Sequence, residues 1–114
     1  MSQPRQLDNP LYILIRNEQI SAFNAQKPKD TVVDLSDGDF RGIDLRALDA
    51  QGINFTNAYF RGTDLRGLDL RNAQLEGASL AHAQISGAYF PVELTADEIL
   101  MSVNFGTRLR YNTR

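Results

Sequence analysis

Four arginines and one tyrosine carry the chemistry most easily recognised in this sequence: Arg41, Arg46, Arg61, Arg66 and Tyr59. The arginines are spaced by five or by twenty residues, so any structure with that period would gather them on neighbouring surfaces. A guanidinium group can bind a carboxylate or a phosphate through two parallel hydrogen bonds. Tyr and Arg are also favoured anchors of protein interfaces. We therefore take these five residues as a candidate partner-binding surface.

Four aspartates precede arginines by two residues, in the triplets that begin at Asp39, Asp44, Asp64 and Asp69. Residues two apart on an extended segment lie on the same side. The same arginines could therefore form a self-neutralised, solvated wall whose exposed ion pairs contribute little stability. The sequence leaves both interpretations open.

The sequence contains few residues that could form a catalytic site. There is no cysteine, and the single histidine, His82, has no second histidine to complete a metal site. Ser36, Ser79 and Ser86 fall at outward positions of the repeat described below, without an arrangement typical of a Ser-His-acid triad. We predict no catalytic residue, no metal and no cofactor, and therefore a protein that is not an enzyme.

Composition sets further bounds. A chain of 114 residues with net charge −2 fits one globular domain. No segment is basic enough to suggest direct binding of nucleic acid. The N-terminal region lacks an apolar core of signal-peptide length, and the run from Leu11 to Ile15 is too short to cross a membrane. The expected location is the cytoplasm, without membrane attachment.

A five-residue period runs from 33 to 92. Large apolar side chains recur at every fifth position, with Ala50 as the one small exception, and the residue two before each of them is mostly small or apolar. Both sets should point inward, and the residue two after each large one should turn a corner. Four corners make a coil of twenty residues, and three coils stack at a spacing of about 4.8 Å. The large inward residues are Leu35, Phe40, Leu45, Ala50, Phe55, Phe60, Leu65, Leu70, Leu75, Leu80, Ile85 and Phe90.

The blocks GIDLR, GTDLR, GLDLR and GASLA closely match a repeated pattern of a small residue, Asp or Asn, then Leu or Phe, then two variable positions. In this they resemble the pentapeptide-repeat family, and the resemblance covers residues 33–92. It implies an all-β solenoid, a right-handed quadrilateral β-helix of about three coils.

The two ends should cover the solenoid, because an open β-helix exposes apolar surface and unpaired edges. Residues 1–32 are predicted to form an N-terminal helical cap with short helices over about 10–16 and 18–26. Residues 93–114 are predicted to form a C-terminal helix and tail, all within one structural domain. Thr95 and Glu98 form a capping-box pattern, Gly106 ends the helix, and Thr107–Arg114 should be loose.

The family resemblance also suggests a homodimer through the C-terminal region, where Phe105, Leu109 and Tyr111 are available apolar groups. A rigid surface without a pocket favours a protein-interaction scaffold with an unidentified protein partner. The alternative function, implied by the family, is a DNA mimic that binds or protects DNA gyrase. Five arginines interrupt the acidic surface that such mimicry needs.

Overall fold

The chain is described here from a computed structural model, which covers residues 4–112. Helices α1 (Pro10–Arg16) and α2 (Ile20–Gln26) precede strands β1 (Val33–Asp34) and β2 (Ile53–Asn54), and helix α3 (Ala96–Phe105) follows them. The molecule measures 34 × 27 × 25 Å. Nearly all of the chain between 33 and 92 consists of short extended segments separated by turns.

Backbone pairing repeats every twenty residues. Strands β1 and β2 pair in parallel, with Val33 opposite Ile53. Further parallel bridges join Asp44 to Asp64 and Asp64 to Gln84, so three successive stretches of chain stack on one side. Other bridges repeat the same spacing at offsets of five residues. The chain thus returns to the same place every twenty residues, which is what the predicted solenoid requires.

The extended segments are shorter than an all-β prediction suggests, since each named strand has only two residues. A turn begins after each large inward residue from Leu35 to Ile85, and it is closed by a hydrogen bond such as that from the Ile43 amide to the Phe40 carbonyl, 3.4 Å. At the predicted corners Gly42 and Gly62, φ is 73° and 67°. This is the backbone region that glycine adopts without a steric penalty. Five residues per side therefore leave room for a short bridge between two turns.

The predicted inward side chains form the core. From Leu35 to Leu80 every one of the large inward residues is at most 3% exposed, including Ala50. Phe40 and Phe60 stack with ring centroids 5.4 Å apart. Thr63, the one polar inward residue, donates from its hydroxyl to the Phe40 carbonyl at 2.6 Å. The register of inward and outward residues is confirmed by this burial.

The N-terminal helices cover the first coil largely as predicted. Asn9 caps α1 by accepting the Leu11 amide at 2.8 Å. The prediction that the second helix begins near residue 18 is wrong, because Glu18 has a φ of 56° and α2 begins at Ile20. Sequence analysis also missed Tyr12, which is 1% exposed and stacks edge-on against the core.

Side chains of this cap donate hydrogen bonds to backbone carbonyls of the first coil, because no preceding coil supplies donors for them. The Tyr12 hydroxyl donates to the Asp39 carbonyl at 2.8 Å. The Asn24 amide donates to the Ala47 carbonyl at 2.9 Å, and the Lys27 ammonium donates to the Gln51 carbonyl at 2.8 Å. The cap therefore pairs the lower edge of the coil as well as covering its apolar end.

The C-terminal segment is only partly as predicted. Thr95 accepts the Glu98 amide at 3.2 Å, and Gly106 ends α3 with a φ of 73°. In a full capping box the Glu98 carboxylate would accept the Thr95 backbone amide. Here the Glu98 carboxylate instead accepts hydrogen bonds from Arg110.

The prediction of a loose tail is wrong for residues 107–112. Leu109 is fully buried, and its carbonyl accepts the Gly77 amide at 2.8 Å. The Tyr111 hydroxyl accepts the Leu75 amide at 2.9 Å. The tail is held because amides at the end of the last coil need acceptors. The rest of the predicted tail lies outside the described residues.

Candidate protein-binding surface

Arg41 is held by its own triplet. Its Nε and Nη2 donate to the two carboxylate oxygens of Asp39 at 2.8 and 2.9 Å. The Asp39 side chain is only 7% exposed, whereas half of the Arg41 side chain faces solvent. The hydrogen bond from Arg41 is the main cause that lowers the pKa of Asp39. Arg41 therefore lies at the surface with its charge already paired.

Arg46 and Arg66 form one network with two aspartates. Arg46 donates to Asp44 at 3.0 and 2.8 Å, and Arg66 donates to Asp64 at 2.9 and 2.8 Å. The Arg46 Nε also lies 3.3 Å from Asp64 Oδ2, which belongs to the next coil. The hydrogen bond from Arg46 is the main cause that lowers the pKa of Asp44 to about 2. The stacked like charges are thus separated by alternating opposite charges.

Tyr59 does not present a free hydroxyl or ring face. Arg108 donates from Nη2 to the Tyr59 hydroxyl, and its guanidinium carbon lies 5.1 Å from the centre of the Tyr59 ring. Arg108 also donates to the Gly77 carbonyl at 2.7 Å. The prediction of Tyr59 as an outward residue holds, but the C-terminal segment occupies its polar atom. This contact spans 49 residues, and no local pattern indicates it.

Arg61 differs from the other predicted arginines. Within residues 4–112 its side chain forms no ion pair or hydrogen bond, and the residue is exposed. Its backbone carbonyl accepts the Gly42 amide at 3.0 Å, so Arg61 lies on the coil next to that of Arg41. The structure brings the five predicted residues onto adjacent sides of the coil, but leaves one guanidinium among them unneutralised.

Arg71 was not among the predicted site residues. It forms the same bidentate pair with Asp69, at 3.0 and 2.9 Å, and its guanidinium carbon lies 4.8 Å from the centre of the Tyr89 ring. The Asp-Leu-Arg triplet indicated the ion pair. The twenty-residue column from Asp69 to Tyr89 could have indicated the ring contact.

The only histidine, His82, lies at a corner with φ 56° and is exposed. Within the described part of the chain, no three acidic, histidine or cysteine side chains lie close enough together to hold a metal ion. None of the helices within residues 4–112 has the length and apolar character needed to span a bilayer.

Comparison with known proteins identifies the repeat. The family model described as pentapeptide repeats matches residues 53–90 in eight copies. No curated protein and no solved structure gives a significant match. The resemblance that the five-residue period predicted is confirmed by this match.

Proposed function

Residues 53–90 of the chain are pentapeptide repeats, and from that premise we propose that the protein is a non-enzymatic scaffold that binds a protein partner through its charge-patterned faces. The observation that supports this most directly is the exposed, unpaired guanidinium of Arg61 beside the paired Arg41. A partner carboxylate can bind Arg61 without breaking an internal ion pair, whereas binding Arg41 would compete with Asp39.

Rigidity of the surrounding surface adds to this support. Arg41, Arg46 and Arg66 are each fixed by two hydrogen bonds to an aspartate, so the surface presents a fixed charge pattern. A fixed pattern loses less side-chain entropy on binding. The partner best matched to it carries a carboxylate opposite Arg61 and polar groups opposite the neutralised pairs.

The test compares Arg61→Gln with Arg71→Gln, since both remove one arginine charge but only Arg71 is internally paired. Each protein is used with cross-linking to capture partners from a native lysate, and recovery is quantified against wild type. We expect a stoichiometric protein that Arg71→Gln retains and Arg61→Gln loses. Equal recovery by both variants, or no stoichiometric partner with wild type, would count against the proposal.

The gyrase alternative has less support. Asp39, Asp44, Asp64 and Asp69 are all paired with arginines, so these columns do not present a continuous negative surface. The longest dimension is 34 Å, about one turn of duplex DNA. The alternative predicts inhibition of gyrase supercoiling, and its absence at high micromolar protein would remove it.

We also propose the finer fold, a right-handed quadrilateral β-helix. Parallel bridges begin at four offsets, from residues 34, 39, 44 and 69; the first three continue over two steps of twenty, and the fourth has one step, from Asp69 to Tyr89. Four such ladders fit four sides. A crystal structure in which the ladders do not lie on four faces would contradict this.

We also propose a C-terminal homodimer that keeps Phe105 of the predicted residues but not Leu109 or Tyr111. Leu109 is fully buried and Tyr111 is engaged with Leu75, so neither is free to form the contact. Phe105 is 77% exposed, and Leu100 and Met101 of α3 are also exposed. These three side chains are the apolar groups that a second copy could cover.

A further inference from the structure

Half of the C-terminal edge of the coil is covered by the chain itself. The Leu80 amide donates to Ser102 Oγ at 2.8 Å, and the His82 amide donates to the Val103 carbonyl at 2.9 Å. The amides of Leu75 and Gly77 are satisfied by Tyr111 and Leu109, as described above. On these two sides the last coil therefore finds acceptors that replace a further coil.

The other half of this edge, Ile85–Phe90, has no such cover. Within residues 4–112 the backbone amides of Ile85, Gly87 and Phe90 have no hydrogen-bond acceptor. Their counterparts one coil below all have one. They are Leu65, Gly67 and Leu70, which donate to the carbonyls of Gln84, Ser86 and Tyr89 at 2.8, 2.9 and 2.7 Å.

Burial independently marks the same edge. Leu65 is fully buried and Leu70 is 1% exposed, because Ile85 and Phe90 lie above them. Ile85 and Phe90 hold the same inward positions in the last coil but are only partly buried. Unpaired donors and incompletely covered core side chains thus coincide along one short edge.

The side chains that could protect the edge are also uncharged. On the same two sides, the coil below carries Asp64, Arg66 and Asp69, whereas the edge carries Gln84, Ser86 and Tyr89 at the matching positions. Proteins commonly protect an exposed edge with charged side chains. Here the edge itself carries no charged side chain from Gln84 to Phe90, although Arg71 of the coil below contacts the Tyr89 ring.

We propose that the side of this edge that carries Ile85 and Gly87 binds an extended segment of a partner protein as an added strand, because the coil turns at Gly87 (φ 71°) and one strand can follow only one side. Carbonyls of the segment would accept the amides of Ile85 and Gly87, and an apolar side chain of the segment would cover Ile85. Main-chain hydrogen bonds supply affinity in strand addition, and side-chain pockets supply selectivity.

The cap argues for a single strand and against the coil of a second copy. Residues 102 to 111 accept amides that point along the coil axis, so they lie above the last coil. A helix is about 10 Å across, roughly twice the spacing of paired strands. The flat end of a second coil cannot approach this edge to strand distance past α3, whereas one extended segment can lie beside the helix.

The strand edge and the arginine surface make different physical predictions. Binding at the uncharged edge should depend little on salt, whereas binding through Arg61 should weaken as salt screens it. The inference therefore does not rest on the proposed role of Arg61, and Arg61→Gln separates the two.

The experiment measures hydrogen exchange of individual amides by NMR. The probe is a blocked synthetic peptide of residues 82–91, because in the protein the carbonyls of its Gln84, Ser86 and Tyr89 accept the amides of the coil below. With free peptide at ten times its Kd, exchange of the Ile85 and Gly87 amides should slow about tenfold. The slower exchange should persist in Arg61→Gln. It should also persist at about 0.5 M NaCl, several times the physiological ionic strength, where surface charges are screened.

The control peptide carries Asp at the positions of Ile85 and Phe90 and should give no slowing. Three results would overturn the proposal. The first is an absence of slowing at these amides with the unmodified peptide. The second is slow exchange of both amides in the dilute free protein, which would mean that the chain closes its own edge. The third is slowing that rises with protein concentration alone, which would make a second copy the occupant.

Discussion

At the scale of single residues, each Asp-x-Arg triplet folds back on itself. The carboxylate accepts both the backbone amide and the guanidinium of the arginine two residues later, as for Asp69 and Arg71. These hydrogen bonds favour the ionised carboxylate, and the one from the guanidinium is the main cause that lowers the pKa of Asp69 to about 2. The triplet thus neutralises its own charge before any partner is present.

The first prediction concerns that pKa. Arg71→Gln should raise the pKa of Asp69 from about 2 towards 3.8, its ordinary value, while the pKa of Asp44 stays at about 2. Because the folded pKa is depressed, the pair stabilises the fold above the unfolded pKa. That stability is lost as pH falls from about 3.8 through about 2. Carboxyl carbon NMR during an acid titration measures both values, and an unchanged Asp69 would contradict the assigned cause.

The second prediction contrasts an inward residue with its outward neighbour. Leu65 is fully buried, so Leu65→Ala should lower the free energy of unfolding by about 2–5 kcal/mol. Leu65→Asp, which places an unpaired charge in the core, should abolish cooperative unfolding. Arg66→Ala should unfold almost as wild type does, since Asp64 keeps Arg46 as a partner at 3.3 Å. Urea unfolding followed by circular dichroism measures all three, and equal stability of all three would invalidate the inward and outward register.

At the scale of elements, corners and caps decide whether a coil can close. Asn57 and Gly77 occupy the same corner of successive coils, with φ values of 61° and 80°. A Cβ added at Gly77 would overlap the Asn57 side-chain oxygen, whereas one added at Gly62 would meet nothing within 4 Å. The same substitution therefore tests backbone strain at Gly62, and strain together with a steric clash at Gly77.

The third prediction follows from this pair of corners. Gly62→Ala should cost about 1–2 kcal/mol of unfolding free energy, the usual penalty of the left-handed region for a residue with a Cβ. Gly77→Ala should cost about 0.5–3 kcal/mol more, the range of coupling between residues in contact. The excess should disappear when Asn57 is replaced by Gly. A double-mutant cycle from thermal or urea unfolding measures it, and additive effects would show that the side chain of Asn57 simply moves aside.

The fourth prediction tests the C-terminal cap. Ser102 is fully buried, accepts the Leu80 amide at 2.8 Å and donates to the Thr107 carbonyl at 2.6 Å. Ser102→Ala should cost about 1–3 kcal/mol, because it leaves a buried amide without an acceptor. Asn104→Ala is the matched control, since Asn104 is exposed on the same helix. Comparable losses in both variants would mean that the helix, and not the capping contact, determines the cost.

At the scale of the whole molecule, the two ends differ. Side chains of α1, α2 and their flanking residues bind carbonyls at the N-terminal end. At the C-terminal end, α3 exposes Phe105, and the Ile85–Phe90 edge has unpaired amides within the described residues. Association, whether with a partner or a second copy, is therefore expected at the C-terminal end or at Arg61.

The fifth prediction concerns solution mass. If the homodimer forms through α3, light scattering should give a mass that rises from 12.8 kDa towards twice that value as concentration increases. Phe105→Ser should shift this rise to higher concentration, because it removes the most exposed apolar side chain of the helix. Ile13→Ser, at an exposed residue of the opposite cap, is the control. A concentration-independent monomer would remove the homodimer.

The five-residue period determined much of this protein without a structure. Alternation along short extended segments identified the inward residues, and the burial of Leu45 and Leu65 agrees with it. Local patterns also identified the caps at Asn9, Thr95 and Gly106. These features could be predicted because each depends on residues only two to five positions apart.

Only the tertiary structure decided which charged side chains and backbone amides have no partner within the described residues. The contact of Tyr59 with Arg108 and the bridge from Arg46 to Asp64 join residues eighteen or more positions apart, and the Ile85 amide has no acceptor from a further coil. The caps do not repeat, so the point at which they meet the coil follows from packing and not from a period. The sequence alone therefore determined the coil and its register, whereas stacking and capping decided which guanidinium and which amides remain available.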